Sequence, residues 1–173
     1  LQTGMIDNPQ IRQQSLSKIL KEVDQMSQLI NDILMISRLE NKDIQVVDHP
    51  LTLKPIVDEI ADSLKVEMDK KNICLTSNIE NVTFYANHQF VYQLINNLLT
   101  NAVKYNKQDG KININSYQRD DNLIIEVSDT GKGISLIDQG RVFERFFRCD
   151  QGRDKETGGT GLGLSIVKHI VQY

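Results

Sequence analysis

The chain has 173 residues and a formal charge of −3, from 20 basic and 23 acidic side chains. Apolar residues make up 39% and charged residues 25%, which excludes a disordered acidic tail, a collagen-like repeat and a membrane bundle. The mild acidity argues against nucleic acid as a partner, because phosphate contacts need a basic surface. Two cysteines are too few for a disulfide framework, which favours a reducing compartment. Because the first residue is Leu1 rather than Met, we expect a piece of a longer chain.

A long helix is predicted over residues 10–40. Apolar side chains recur there at three- and four-residue spacings from Leu16 to Leu34, with no interrupting Gly or Pro. About 30 residues in a helix span roughly 45 Å. An apolar stripe of that length favours packing against other long helices, in a bundle or coiled coil. The alternative is a helix that packs on its own domain.

The rest of the chain predicts an α+β region, with helices on one face of a mostly antiparallel sheet. Asn41-Lys42-Asp43 ends the long helix, and His49-Pro50 breaks the chain again. Asn87 is the predicted N-cap of a central helix. The predicted elements are a strand over 44–48, a helix over 53–71, strands over 73–79 and 82–86, a helix over 88–105, two antiparallel strands joined by residues 119–122, a loop over 149–160 and a helix from Gly161.

One side of the predicted central helix carries a polar stripe. Gln93, Asn97, Asn101 and Lys104 recur at helical spacing, although asparagine is a poor helix former. Amide oxygens suit Mg²⁺, which is usually shared with a nucleotide, and a lysine suits a phosphate. The alternative is a solvated helix face.

Two glycine-rich segments contain six of the ten glycines. In Asp129-Thr130-Gly131-Lys132-Gly133-Ile134, a carboxylate at a strand end can accept an exocyclic amine, while glycines let backbone approach a flat ring. The alternative is a tight turn. In Gly158-Gly159-Thr160-Gly161-Leu162-Gly163-Leu164, amides at a helix start can bind phosphate. This segment lacks the Gly-Lys-Ser/Thr ending of a Walker A loop.

The segment Val142-Phe143-Glu144-Arg145-Phe146-Phe147-Arg148 lies between the two glycine-rich segments. Its phenylalanines can anchor a lid by burial, and Arg148 can then reach a terminal phosphate. The alternative is an ordinary amphipathic turn. The order of the four motifs is more informative than any one of them. Together they resemble the N, G1, F and G2 boxes of bacterial sensor histidine kinases of the PhoR and WalK type, over residues 10–173.

This resemblance implies an ATP-binding α/β sandwich of the histidine kinase, Hsp90 and MutL type, at residues 44–173. Residues 1–43 would then be part of a dimerisation and histidine-phosphotransfer hairpin, mainly its second helix. It also implies that Asn101 and Asn97 bind Mg²⁺, that Lys104 contacts phosphate and that Tyr105 contacts the sugar or base of ATP. Asp129 would bind the adenine amino group and Arg148 the γ-phosphate. The remaining nucleotide-binding residues implied are Gly131, Gly133, Ile134, Phe143, Thr160, Gly161, Leu162, Gly163 and Leu164.

The acceptor histidine of such kinases is followed by Glu or Asp, and His49, His88 and His169 are not. The resemblance therefore places the acceptor upstream of Leu1, so that this piece alone would not phosphorylate itself. It also implies that the sheet is cut short at the C-terminus. A homodimer, a response regulator as partner and a cytoplasmic position below a membrane anchor are further implications. The alternatives are a non-catalytic ATP-sensing module and an anti-sigma-type serine kinase.

Overall fold

The computed structural model describes residues 8–40, 47–149 and 159–173. The elements in these ranges are α1 (Pro9–Glu40), β1 (His49–Thr52), α2 (Leu53–Ser63), α3 (Lys65–Lys70), β2 (Cys74–Ile79), β3 (Thr83–Ala86), α4 (His88–Lys104), β4 (Lys111–Arg119), β5 (Asn122–Asp129), α5 (Leu136–Gln139) and α6 (Gly163–Gln172). The predicted α+β class is confirmed, with a long helix at the start.

The strands form two sheets. In the larger sheet the order is β2-β4-β5. The predicted hairpin is confirmed, since β4 and β5 pair antiparallel with Ile114 opposite Val127. However, β2 runs parallel to β4, so the sheet is mixed. A parallel pair needs a crossover, and α4 supplies it between β2 and β4. The smaller sheet is the antiparallel pair β1 and β3.

Three predicted boundaries were wrong. Val47 and Asp48 lie outside any strand, and the strand begins instead at His49, while residues 44–46 lie outside the described ranges. Pro50 is tolerated because β1, among the described strands, pairs only with β3 and so is an edge strand. The helix predicted over 53–71 is interrupted at Leu64, whose ψ of 0° separates α2 from α3. The last helix begins at Gly163 rather than Gly161.

The main core lies between the larger sheet and helices α2 and α4. Ile60, Ile95, Ile112 and Ile114 are completely buried in it. Burial of each such side chain contributes about 1.5–3 kcal/mol. The apolar face of α4 is thereby fixed on the sheet, which leaves its polar stripe turned toward the connecting segments.

Helix α1 uses two different faces. Most of the predicted apolar stripe stays exposed, for example at Leu16 (54%) and Val23 (51%), while Leu29 is partly buried. Near its C-terminal end, Met35, Ile36 and Leu39 instead pack with Phe90, Leu162 and Ile166 in a second buried cluster. The alternative interpretation, a helix that packs on its own domain, therefore holds for the C-terminal part of α1, while packing against other long helices stays a prediction. No helix in the described ranges combines the length and the apolar character that a membrane span requires.

Candidate functional site

Helix α4 carries the polar stripe into the site. Asn87 caps its start, because the side chain accepts a hydrogen bond from the Phe90 amide at 3.2 Å. Buried side chains such as Ile95 and Leu99 hold the opposite face, so Asn97, Asn101 and Lys104 are half-buried on the open side. The regular helix spacing places these three side chains in one row, as the sequence predicts.

The C-terminal end of α4 is held by a lysine that sequence reasoning missed. The Lys71 ammonium donates to the carbonyl oxygens of Val103 at 2.9 Å, Lys104 at 2.7 Å and Asn106 at 3.3 Å. A cation there also complements the helix dipole. Nothing in the local pattern around Lys71 shows this partner, which lies more than 30 residues away.

The first glycine-rich segment packs directly on that end of α4. The Gly131 amide donates to Asp129 Oδ1 at 2.7 Å, and the Lys132 amide donates to the Tyr105 carbonyl at 3.3 Å. A Cβ on Gly131 would lie 2.4 Å from the Tyr105 carbonyl oxygen. Only glycine allows this approach. Gly133 adopts a φ of +69°, which also favours glycine.

A second residue missed from the sequence, Asn106, joins the two segments. It is buried, and its Oδ1 accepts hydrogen bonds from the Lys107 amide and the Thr130 hydroxyl, each at 3.1 Å. Its Nδ2 donates to the Lys111 carbonyl at 3.2 Å. An asparagine directly after the C-cap of a helix, where side-chain to backbone bonds are common, is the sequence signal that was available but not used.

A cavity of about 400 Å³ opens beside this junction. Its lining consists of Lys104, Tyr105, Asn106, Lys107, Thr130, Gly131 and Lys132. The ammonium groups of Lys104 and Lys132 lie 4.9 and 5.1 Å from the centre of the Tyr105 ring. An aromatic ring close to two cations provides a flat apolar contact next to positive charge, which suits an anionic ligand with an aromatic part.

The second glycine-rich segment reaches the polar stripe from the other side. A Cβ on Gly159 would lie 2.8 Å from Lys104 Nζ, and one on Gly163 would lie 3.3 Å from Asn97 Oδ1. The Phe146 amide donates to the Gly161 carbonyl at 3.0 Å. Gly161, at a φ of +72°, would place a Cβ only 2.8 Å from the Phe146 carbonyl carbon. The structure thus brings both glycine-rich segments to α4 or its C-terminal end, and it joins the phenylalanine-containing motif to the second of these segments through Phe146.

The surroundings of Asn97 indicate whether these residues suit a nucleotide and a metal ion. Its Nδ2 is buried and has no hydrogen-bond partner among the described residues. A buried donor without a partner is costly, and an oxygen-rich ligand would satisfy it. The amide oxygens of Asn97 and Asn101 are ligands of the kind that Mg²⁺ takes, and the Lys104 ammonium on the same stripe suits a phosphate. The residues present therefore fit Mg²⁺ and ATP.

The other predicted site residues are less closely joined to this centre. Ile134 and Phe143 are 45% and 44% exposed, while Arg148 and Leu164 are half-buried. The Leu162 side chain is buried at 1% exposure against α1, so this side chain is not accessible to a ligand. In the described ranges, no three His, Cys, Asp or Glu side chains are grouped as a metal site would require.

Residues 86–173 match the family described as histidine kinase-, DNA gyrase B-, and HSP90-like ATPases. That stretch runs from the last residue of β3 through α6 and contains the polar stripe and both glycine-rich segments. The chain belongs to this ATPase family.

Curated relatives within the family include sensor kinases. The chain is 34% identical over 169 residues to the sensor-like histidine kinase SenX3 of Mycolicibacterium smegmatis, covering 95% of this chain and 43% of SenX3. It is 30% identical over 162 residues to the heme sensor protein HssS of Staphylococcus aureus, covering 94% of this chain and 35% of HssS. The chain therefore spans less than half the length of these relatives.

Solved structures show the same fold. The histidine kinase AdeS of Acinetobacter baumannii superposes with a TM-score of 0.76 at 22% identity, over 95% of this chain and 74% of AdeS. Full-length ShkA, solved in complex with AMPPNP, gives a TM-score of 0.74 at 24% identity, over 93% of this chain and 34% of ShkA. Both alignments include most of the chain, so the fold likeness extends beyond residues 86–173.

Proposed function

We propose that this chain is the Mg²⁺- and ATP-binding part of a sensor histidine kinase in a two-component system. The observation that carries the proposal is the convergence of the glycine-rich segments on the polar stripe of α4, at Asn97, Lys104 and Tyr105. The similarity to sensor histidine kinases over nine-tenths of the chain supports it.

Each end of ATP has a proposed set of partners. Asp129 accepts the adenine amino group, because a carboxylate already bonded to the Gly131 amide retains further acceptor sites. The Tyr105 ring contacts the sugar or base. Lys104 and the amides of Gly161 and Gly163 face the phosphates, where cationic and N–H donors give charge-assisted bonds.

At the phosphate end, Asn101 and Asn97 would hold Mg²⁺ through their amide oxygens. The ion, when bound, neutralises charge on the phosphates. Arg148 would balance charge on the γ-phosphoryl group during its transfer. The protein also has to hold the nucleotide in line with its acceptor. Such positioning, together with charge stabilisation, supplies most of the catalysis in phosphoryl transfer.

The acceptor in this proposal is a histidine outside residues 1–173, since none of the three histidines here is followed by Glu or Asp. The phosphoryl group would then pass to an aspartate of a response regulator. We also propose a homodimer that forms through a helical hairpin to which α1 belongs, and a cytoplasmic position beneath a membrane anchor.

Calorimetric titration with a non-hydrolysable ATP analogue tests the proposal on this chain. We expect saturable binding that weakens at least tenfold when Mg²⁺ is replaced by a chelator, because the asparagines would then lose the ion that they share with the phosphates. Absence of binding with Mg²⁺ present, by a chain that is folded by circular dichroism, would refute it.

A further inference from the structure

Helix α1 places a buried carboxylate beside the second glycine-rich segment. Asp32 is only 3% exposed. Gln28 Nε2 donates to its Oδ1 at 2.7 Å, and the Thr160 hydroxyl donates to its Oδ2 at 2.9 Å. A buried carboxylate is strongly unfavourable unless donors satisfy it. The buried Asp32 carboxylate therefore needs the Thr160 hydroxyl as a donor, and the same hydrogen bond fixes the position of the Thr160 side chain.

The hydroxyl of Thr160 has no proton left for another acceptor in this arrangement. It has one proton, which goes to Asp32, and it accepts a hydrogen bond from the Leu162 amide at 3.2 Å. The Leu162 side chain is buried against Met35 and Ile36 of α1. Residues 160–162 are thus attached to α1 by a polar contact and an apolar contact, side by side.

The glycines that contact the polar stripe of α4 lie directly before and after this short segment. Gly159 and Gly163 flank it and lie against Lys104 and Asn97, as described above. Its attachment to α1 consequently sets where the backbone amides of the segment point. An ion pair between Glu40 and Arg145 is a second contact between α1 and this region. Arg145 directly precedes Phe146, whose amide donates to the Gly161 carbonyl.

We propose that Asp32 is a positioning residue for nucleotide phosphates, and that Thr160 acts as its anchor rather than as a phosphate ligand. This inference rests on the proposed function. While Thr160 donates to Asp32, its side chain has no proton left for a phosphate oxygen. Helix α1 would thereby hold the phosphate-binding amides in place in the absence of nucleotide, which lowers the entropy lost on binding.

Electrostatic repulsion between Asp32 and the phosphates predicts the opposite change in nucleotide affinity. Asp32 carries a negative charge near the phosphate end, and repulsion alone would make its removal strengthen nucleotide binding. The sign of the change in affinity therefore distinguishes positioning from simple repulsion.

The test compares Thr160→Val, Thr160→Ser, Asp32→Ala and the double variant Asp32→Ala/Thr160→Val in the full chain. We expect about three- to tenfold weaker binding of a non-hydrolysable ATP analogue for Thr160→Val and Asp32→Ala, the range for one lost hydrogen bond. Thr160→Ser should bind as the unchanged chain does. The double variant should be no weaker than the weaker single variant, because the two residues act through each other.

Two further readouts separate positioning from general loss of stability. Adenosine, which lacks phosphates, should displace a fluorescent adenine ligand equally well in all variants. In the nucleotide-free chain, the Leu162 amide should exchange hydrogen faster in Thr160→Val but not in Thr160→Ser. Unchanged or tighter analogue binding in Thr160→Val and Asp32→Ala would overturn the positioning role, while failure of the unchanged chain to bind would overturn the proposed function itself.

Discussion

At the scale of single residues, close backbone approaches define the site more sharply than side-chain chemistry. Gly131 has the Tyr105 carbonyl oxygen and Asp129 Oδ1 where its Cβ would be, at 2.4 and 2.7 Å. Neither neighbour is the flexible end of a long side chain that can turn away. The glycine therefore reports a fixed spacing between α4 and the segment after β5.

Gly131→Ala should destabilise the fold and weaken nucleotide binding. We expect about 1–3 kcal/mol of lost unfolding free energy, typical of forced overpacking, and at least tenfold weaker binding of an ATP analogue. Gly140→Ala is the matched control, because no atom lies within 4 Å of its Cβ position and its φ is −69°. Chemical denaturation and titration calorimetry measure both effects. Equal behaviour of the two variants would contradict the tight contact.

Asn101→Ala should remove most of the Mg²⁺-dependent part of nucleotide affinity. We expect about tenfold weaker binding with Mg²⁺ and little change in chelator, since a lost ligand of the ion matters only when the ion is present. Gln93→Ala, two turns earlier on the same half-buried stripe, is the control. Equal losses with Mg²⁺ and with chelator would show that Asn101 does not act through the metal.

At the scale of elements, α1 combines two surfaces that the sequence pattern does not separate. The stripe from Leu16 to Leu34 dominates the periodicity, yet most of it is exposed. The face that packs on α6 includes the partly buried Leu29 and the buried Asp32, Met35, Ile36 and Leu39. The sequence pattern does not show this face, because the charged Asp32 interrupts its apolar residues. The hydroxyl that donates a hydrogen bond to Asp32 belongs to Thr160, which lies 128 residues away.

The exposed stripe of α1 predicts self-association. Leu16→Glu and Val23→Glu should each shift the chain toward monomer, because a charge on an apolar contact surface loses its hydration on association. Gln14→Glu introduces the same charge on the opposite side of the helix and should have little effect. Sedimentation equilibrium over a range of concentrations measures the change. A monomer at every concentration for the unchanged chain would contradict this use of the stripe.

Local elements were predictable to within a few residues, and long-range pairings were not. The β4 and β5 hairpin follows from alternation on both sides of a short turn. The parallel pairing of β2 with β4 depends on a crossover through α4, and strand alternation carries no information about which strand becomes the neighbour. The break at Leu64 and the strand through Pro50 likewise depend on tertiary packing.

At the scale of the whole molecule, helix α4 is the element around which the residues of the candidate site meet. The motifs near residues 97–105, 129–134, 143–148 and 159–164 are separate in sequence, and their order alone indicated a common site. The structure supplies the physical reason, since Gly159 and Gly163 closely approach side chains of α4, Gly131 approaches the Tyr105 carbonyl just after α4, and Gly161 approaches Phe146. Lys71, Asn106 and Asp32 complete the arrangement from outside those motifs, and their roles arise only from contacts across the fold.

The most direct test of the proposed kinase is transfer of label from γ-labelled ATP, in a longer natural chain that includes a histidine followed by Glu or Asp. We expect label that survives alkali, is lost in acid and is absent from the Asn101→Ala variant. Acid-stable label would point instead to a serine acceptor. No label, from a chain that still binds ATP, would contradict the kinase and leave an ATP-sensing module.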